Sequence, residues 1–331
     1  MTPNVYAVEL FALAWIALLA IGSLISAIAV RVCRRRLALW EPRVRHRALV
    51  LLVSLPLLIA SVLMLSAVLR ALVSLVVPGA DHCVTHDGDH PHLCFVHLPT
   101  VPVSTWLVML MMLGLVYVFV RLTRMAFKIV RALATLRALA RSGERRSDLG
   151  ITVIDGSGPL CLAAGLFRPL VLMSRSLLEL LSDDERAVVL AHENEHVRRR
   201  DALVATGVRV MALVHFPAIA RWLVHEIDVA AEQACDEEAS RIVGDRVTVA
   251  STILVVERAA QHAVFQSLTP IASGFGSSAT ERRVVSLLSA PCLPTSMSAF
   301  GAVLGTGALG LLCVSSAFHD VVESVLSFVT N

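Results

Sequence analysis

Residues Ala191-His192-Glu193-Asn194-Glu195-His196 form an HExxH pattern, in which two histidines stand four positions apart. On an α-helix this spacing places both imidazoles on one face, one turn apart, so that both reach one tetrahedral cation. Glu193 lies about 100° around the helix from His192, where a zinc-bound water needs a general base. The stretch therefore predicts a site for one Zn²⁺ ion, with His192 and His196 as ligands and Glu193 as the catalytic residue.

The ends of this helix are also marked in the sequence. Residues 182–185, Ser-Asp-Asp-Glu, form a capping box and bring acidic residues to the positive end of the helix dipole. The HExxH pattern is therefore predicted to lie on a helix and not in a loop. Beyond it, Asp201 is expected to stabilise the end of this helix or the arginine cluster at 198–200.

A second polar group follows downstream, where Glu232 and Asp236 stand four residues apart on one predicted helical face. Glu232 is predicted to be the third zinc ligand. Asp236 is placed to accept the second ring N–H of a ligating histidine, a contact that fixes the tautomer. Cys235 points off this face and is expected to be buried without ligating. The alternative, a solvated charged helix, is disfavoured because both halves of a metal site are present.

The composition is that of an integral membrane protein. Of 331 residues, 56% are hydrophobic and 17% are charged, and the mean hydropathy of +0.74 exceeds that of soluble domains. The net charge of +3 is small and dispersed, so no direct nucleic-acid partner is predicted. The lipid bilayer is the expected environment.

Four apolar segments are predicted to cross the bilayer, at about 5–30, 48–77, 102–120 and 298–318. A cleavable signal peptide is the alternative for the first, but no basic region precedes it and the apolar run is too long. The last segment has a small-residue face on which another transmembrane helix can pack, which suits a homo-oligomer. That face consists of Gly301, Gly305, Gly307 and Gly310.

Basic residues concentrate at 31–47 and in an amphipathic linker at 121–150, whereas the loop at 78–101 has none. By the positive-inside rule, the N-terminus and a short C-terminal tail at 319–331 lie outside the cell membrane. The sequence thus predicts an α-helical multi-pass membrane protein with four transmembrane helices. Its mostly helical α+β zinc peptidase domain, at 151–297, is expected in the cytoplasm between the third and fourth spans.

Within that domain, residues 151–154 and 169–173 are predicted strands. Extended substrates bind by adding a strand to an exposed edge, so 169–173 is the candidate edge, although a wholly internal strand fits the sequence equally. The apolar stretch at 202–224 is interrupted by charged residues and a proline. It is predicted to be a buried or interfacial helical element and not a complete transmembrane pass.

The loop at 78–101 is rich in cysteine and histidine and is a candidate sensor. Imidazole, thiolate and carboxylate groups together suit zinc or copper. A disulfide between the two cysteines is favoured, because the spacing matches no standard metal motif. A bridged loop would still have histidines for metal or pH sensing. The residues concerned are Cys83, His86, His90, His92, Cys94 and His97.

The run from Gly165 to Leu172, the capped HExxH helix and the segment 232–236 together resemble the membrane-bound zinc peptidases typified by the β-lactam-sensing BlaR/MecR-type antirepressors. The order of spans, three before the peptidase region and one after, is similar. The resemblance implies a gluzincin-like domain with His192, His196 and Glu232 as zinc ligands and Glu193 as the base. It also implies a cytoplasmic protein substrate, typically a winged-helix repressor.

One departure from that family is large, because BlaR/MecR-type receptors carry an extracellular penicillin-binding domain after the final span and this sequence stops there. Sensing by acylation of a serine is therefore not expected. The favoured function is a signalling peptidase that cleaves a cytoplasmic repressor or itself. Two alternatives stay open: a housekeeping membrane protease similar to prenyl-protein and heat-shock zinc proteases, and a non-catalytic metal-binding sensor.

Overall fold

The structure is a computed structural model that describes residues 3–76, 105–156, 158–260, 277–289 and 301. This part of the chain is mostly helical with one small sheet. Its helices are α1 (Pro3–Leu37), α2 (Pro42–Val76), α3 (Thr105–Ser142), α4 (Arg175–Leu180), α5 (Asp183–Arg199), α6 (Asp201–Met211), α7 (Pro217–Val243), α8 (Arg246–Ala260) and α9 (Ser277–Leu288). Its strands are β1 (Glu144–Arg146), β2 (Ile151–Ile154), β3 (Cys161–Ala164) and β4 (Leu170–Ser174).

Three of the described helices contain segments long and apolar enough to cross a membrane, namely Phe11–Leu37, Pro42–Ser66 and Thr105–Ser142. The third continues without a break through the basic region that was expected to be a linker. No glycine or proline occurs between 121 and 142, so nothing in the sequence interrupts the helix. The predicted fourth span, 298–318, lies outside the described residues except for Gly301.

The four strands form one sheet in the order β1-β2-β4-β3, with β2 and β4 parallel and β3 antiparallel to β4. Of the two alternatives for residues 169–173, the structure shows the internal strand and not the sheet edge, because β4 lies between β2 and β3. The edge strands are β1 and β3, and sequence reasoning missed β3, the edge beside β4. It returns to β4 through Gly165, whose φ of +114° suits glycine and whose Cβ, if present, would lie 2.7 Å from the carbonyl oxygen of Arg168.

The apolar stretch at 202–224 consists of α6, a 3₁₀ turn (Ala212–Val214) and the start of α7, and it is not among the candidate spans in the described residues. His215 lies at the junction and is buried. Its Nδ1 atom lies 3.0 Å from Oγ of Ser23 on α1, and its Nε2 atom lies 2.9 Å from the carbonyl oxygen of Val53 on α2. This side chain therefore connects the first two spans to the peptidase region.

Apolar packing joins the same elements. One core cluster combines Val30 of α1, Val53 of α2, Val208 of α6 and Ile227 of α7. A second cluster packs α5, α7, α8 and α9 together through residues that include Val188 and Leu287. Burial of such aliphatic side chains stabilises each by roughly 1.5–3 kcal/mol. The helices that carry the polar motifs are thus held between the membrane helices on one side and α8 and α9 on the other.

Candidate metal centre

Helix α5 carries the HExxH residues, and both of its ends are well defined. At the start, the predicted capping box is present: Ser182 Oγ accepts from the Glu185 N–H at 3.3 Å, and the Glu185 carboxylate accepts from the Ser182 N–H at 2.9 Å. At the end, Arg200 adopts a left-handed conformation with φ of 55°. This residue turns the chain directly into α6, which begins at Asp201.

The three predicted ligands meet at one point. Nε2 of His192 lies 3.1 Å from Nε2 of His196. The carboxylate oxygens of Glu232, on α7, lie 3.4 Å from the first nitrogen and 3.5 Å from the second. All three side chains are buried, and their donor atoms lie within 4.8 Å of one another. Two imidazole nitrogens and one carboxylate form a donor set typical of catalytic zinc sites.

A carboxylate holds each imidazole on the side away from this point. Nδ1 of His192 lies 2.9 Å from Oδ1 of Asp236, and Nδ1 of His196 lies 2.8 Å from Oδ2 of Asp201. With Nδ1–H donating in both rings, both Nε2 atoms turn toward Glu232. Two nitrogen lone pairs 3.1 Å apart repel each other. A proton or a metal cation between them removes that repulsion, so the donor set fits a metal.

The electrostatics of the three predicted ligands and their neighbours also favour a bound cation. Burial opposes protonation of His192, but hydrogen bonds to Asp236 and Glu232 raise its pKa to about 10. Burial would raise the pKa of Glu232, but Arg283 and the two histidines lower it to about 2. The pKa of Asp236 is also lowered, against burial, by Arg283 and His192. The site is therefore a carboxylate-rich pocket that attracts a cation.

Sequence reasoning missed Arg283, which lies on α9 and is 2% exposed. Its guanidinium contacts two carboxylates of α7: Nη1 lies 3.1 Å from Oε2 of Glu232, and Nη2 lies 2.7 Å from Oδ1 of Asp236. The sequence places this arginine beside a second one, Arg282, and carries no signal that only one of the two is buried.

The N-terminal end of α2 also reaches α5 and α7, the two helices that carry the predicted ligands, and the sequence did not indicate these contacts. Arg43 lies 3.0 Å from Glu195 on α5 and 2.8 Å from Glu238 on α7. His46 contacts Arg199 at 3.1 Å, and Arg199 Nε lies 3.2 Å from Asp201. A chain of contacts thus runs from the second candidate span to the aspartate that holds His196.

Glu193 lies on an adjoining face of α5 and is 4% exposed. Its Oε2 atom accepts a hydrogen bond of 2.6 Å from the backbone N–H of Ala163 on the edge strand β3. A cavity of about 20 Å³ lies beside it, lined mainly by apolar side chains. Those lining residues include Cys161, Val188, Val249 and Ile253.

The remaining predicted residues are Cys235 and those of the candidate sensor loop. Cys235 is fully buried as expected, but its Sγ atom lies 3.4 Å from Nδ1 of His196 and 3.6 Å from Asp201, behind the ligand. Burial raises the pKa of this thiol. The candidate sensor residues between 83 and 97 lie outside the described residues.

Fold and site together define a membrane protein with a buried cluster of side chains, on two packed helices, that could hold a metal ion. The chain belongs to the family described as BlaR1 peptidase M56, which matches residues 14–287. It is also similar to the Protease HtpX homolog of Salinibacter ruber (strain DSM 13855 / M31), with 26% identity over 149 residues. That match covers 36% of this chain and 54% of the relative, so the chain spans about half of the relative's length. The predicted family resemblance is confirmed.

Proposed function

We propose that this protein is a membrane-embedded zinc-dependent endopeptidase. The observation that carries the proposal is the meeting of His192, His196 and Glu232 at one buried point, with Glu193 on the adjoining helical face. Once bound, Zn²⁺ would polarise the scissile carbonyl and acidify a water molecule. A purely structural metal site has no use for a carboxylate at Glu193.

The remaining chemistry belongs to the chain's own residues. Glu193 takes the proton of the attacking water and delivers it to the nitrogen of the leaving amine. The Ala163 N–H, 2.6 Å from the Glu193 carboxylate, restricts its orientation. Asp236 and Asp201 keep both imidazoles in the tautomer that presents Nε2 to the metal.

The edge strand β3 suits the binding of an extended peptide. All four residues of β3 pair with β4, and because backbone hydrogen bonds to one partner alternate along an antiparallel strand, the Ala163 N–H points away from β4, to Glu193 on α5. A substrate strand added here would run past Glu193. The adjoining cavity of about 20 Å³ favours a small apolar side chain next to the scissile bond.

For the biological role, we favour a signal-transducing antirepressor that cleaves a cytoplasmic winged-helix transcriptional repressor, itself, or both. Membership of the BlaR1 peptidase family supports this role, as does the direct contact of α2 with both metal-binding helices. The positive-inside rule supports a cytoplasmic catalytic domain with both termini outside. This topology includes the fourth span at 298–318 and allows homo-oligomers through its small-residue face.

A housekeeping membrane protease is the second candidate, favoured by the similarity to the Protease HtpX homolog. Such an enzyme would cleave many membrane proteins and not one repressor. The third candidate, a non-catalytic metal sensor, would bind zinc through the same three residues without turnover.

The test uses the full chain in lipid nanodiscs with Glu193→Ala, and Asn194→Gln as a matched control at an exposed position of the same motif. Both variants should retain one zinc ion, measured by elemental mass spectrometry. Glu193→Ala should reduce cleavage by a factor of about 10²–10⁴, whereas Asn194→Gln should not. Cleavage by Glu193→Ala at the wild-type rate would contradict the peptidase proposal.

The same variant separates the candidate roles when it is expressed in the native host and used to trap substrates. A single DNA-binding repressor bound to Glu193→Ala supports the antirepressor role. A broad set of membrane proteins supports the housekeeping role instead. Absence of any cleaved or trapped protein, with zinc present in the wild type, would support the non-catalytic sensor.

A further inference from the structure

A cavity of about 630 Å³ lies between the N-terminal end of α2 and the corner at which α5 turns into α6. It is separate from the small cavity beside Glu193. Its polar wall is formed by Arg43, Arg47, Arg198 and Arg199, with His46, Glu195 and Asp201. Its apolar wall is formed by Val50, Leu51 and Val204.

The cavity carries an excess of positive charge. Three of its arginines contact acidic groups: Arg43 and Arg198 contact Glu195, and Arg199 contacts Asp201. Arg47 is exposed and forms no ion pair with an acidic side chain among the residues that the structure describes. Glu238, outside the lining, also contacts Arg43 and Arg198, so four arginines against three carboxylates leave a surplus of one positive charge at this cavity.

The N-terminus of α2 adds to this potential. The first turn of α2 contributes lining residues and contains no acidic side chain. The first turn of α6 also lines the cavity, but it carries the acidic side chain of Asp201 and adds no surplus positive charge. Free N–H groups at helix starts favour bound anions, so their partial charges reinforce the arginines.

The position of the cavity indicates the source of the anion. It lies at the Pro42 end of the second candidate span, where the helix changes from arginine-rich to continuously apolar sequence. That change marks the depth of the lipid headgroups. Arginines that can bind phosphate line the cavity together with aliphatic residues that can contact the start of an acyl chain: Val50 and Leu51 lie one helical turn after Arg47 on α2, toward the apolar part of the span.

We propose that this cavity binds the phosphate group of an anionic phospholipid. The guanidinium groups of Arg47 and Arg198 hold the phosphate, and Val50, Leu51 and Val204 contact the glycerol and upper acyl chain. The aspartate behind His196, Asp201, itself lines the cavity, and Arg199 of the same lining contacts it.

The test compares two doubly neutralised variants of the full chain. Arg47→Gln with Arg198→Gln removes cavity charge, whereas Arg124→Gln with Arg131→Gln removes the same charge from exposed positions on α3. Retention of phosphatidylglycerol and of phosphatidylcholine is measured by native mass spectrometry from mixed nanodiscs. Inorganic phosphate is titrated calorimetrically into delipidated protein, and equal melting temperatures verify folding.

We expect the wild type and the α3 variant to retain phosphatidylglycerol over phosphatidylcholine. The cavity variant should bind phosphatidylglycerol about 25-fold more weakly, because each of the two removed arginines contributes a factor of about five. Phosphate binding that only the cavity variant loses, without lipid retention, would support the same site with a soluble ligand. The proposal would be overturned by two results together: both variants retain phosphatidylglycerol equally, and no phosphate binding depends on the cavity arginines.

Discussion

Arg283 and Asp236 form a fully buried, doubly hydrogen-bonded ion pair, with distances of 2.8 Å from Nε to Oδ2 and 2.7 Å from Nη2 to Oδ1. The same aspartate accepts from Nδ1 of His192 at 2.9 Å. Helix α9 therefore contributes directly to the site, although it follows the HExxH pattern by almost ninety residues. The single positive charge of the arginine lies between two carboxylates that would otherwise repel each other.

We predict that Arg283→Met destabilises the protein by about 3–5 kcal/mol, because it leaves the charges of Asp236 and Glu232 buried without their cation. The free energy of unfolding is measured in detergent with denaturant. Arg282→Met is the matched control: its ion pair with Glu226 is partly exposed, so its loss should cost at most about 1 kcal/mol. Similar losses of unfolding free energy in Arg283→Met and Arg282→Met would show that the buried contacts of Arg283 have no special role in stability.

The affinity for zinc should increase with pH. His192 has a pKa of about 10 in the metal-free site, so a proton must leave before this nitrogen binds metal. Release of one proton strengthens apparent binding by about tenfold per pH unit between pH 7 and the pKa. Competition with a calibrated chelator at pH 6.5, 7.5 and 8.5 measures this slope. A zinc affinity that stays constant across these pH values would contradict the prediction.

The metal-free protein should show the opposite trend in stability. The folded pKa of His192 lies above its ordinary value of 6.5, so its contribution is complete below pH 6.5 and is lost toward pH 10. We therefore expect the melting temperature of chelator-treated protein to fall across this range. Protein with bound metal serves as the comparison and should not show this loss.

Asp201→Asn should weaken zinc binding by about 10–100-fold, because an amide holds the His196 ring in the ligating tautomer less strongly than a carboxylate. Equilibrium dialysis against a zinc buffer measures the change. Asp184→Asn, at an exposed position in the first turn of α5, provides the control and should leave the affinity unchanged. The prediction fails if both variants bind zinc as the wild type does.

Gly165→Ala should destabilise the protein by about 1–3 kcal/mol. Its φ of +114° disfavours a side chain, and the new Cβ would lie 2.7 Å from the backbone oxygen of Arg168. Gly207→Ala is the contrasting variant, because its nearest neighbouring atom is 3.8 Å away and alanine suits a helix interior. We expect it to stabilise by up to about 1 kcal/mol. Thermal unfolding of both variants gives the comparison.

The residues that the sequence identified most clearly are those related by helical spacing. His192 and His196 lie one turn apart on α5, as do Glu232 and Asp236 on α7, and the structure brings both pairs together. The capping box at Ser182 is likewise local. Because these patterns depend only on backbone periodicity, they are visible in a sequence without any knowledge of tertiary packing.

The features that the sequence did not indicate depend on long-range contacts. β3 is four residues of low strand propensity, and only its pairing with β4 defines it as the edge. Arg43 and Arg283 reach the site from helices distant in sequence, so no local pattern distinguishes them from other arginines. Residues 83–97 and 302–318 lie outside the described part, so the sensor loop and most of the fourth span stay predictions.

Arg200, in its left-handed conformation, forms the corner between α5 and α6. This corner limits the number of residues that the connection between the two helices can have. His196 and the aspartate that holds it lie on opposite sides of this single residue, with no spacer between α5 and α6. An insertion or deletion of even one amino acid there would rotate α6 by about 100° and carry the aspartate away from the imidazole. The corner therefore tolerates exchange of its exposed side chain but not a change in the number of residues.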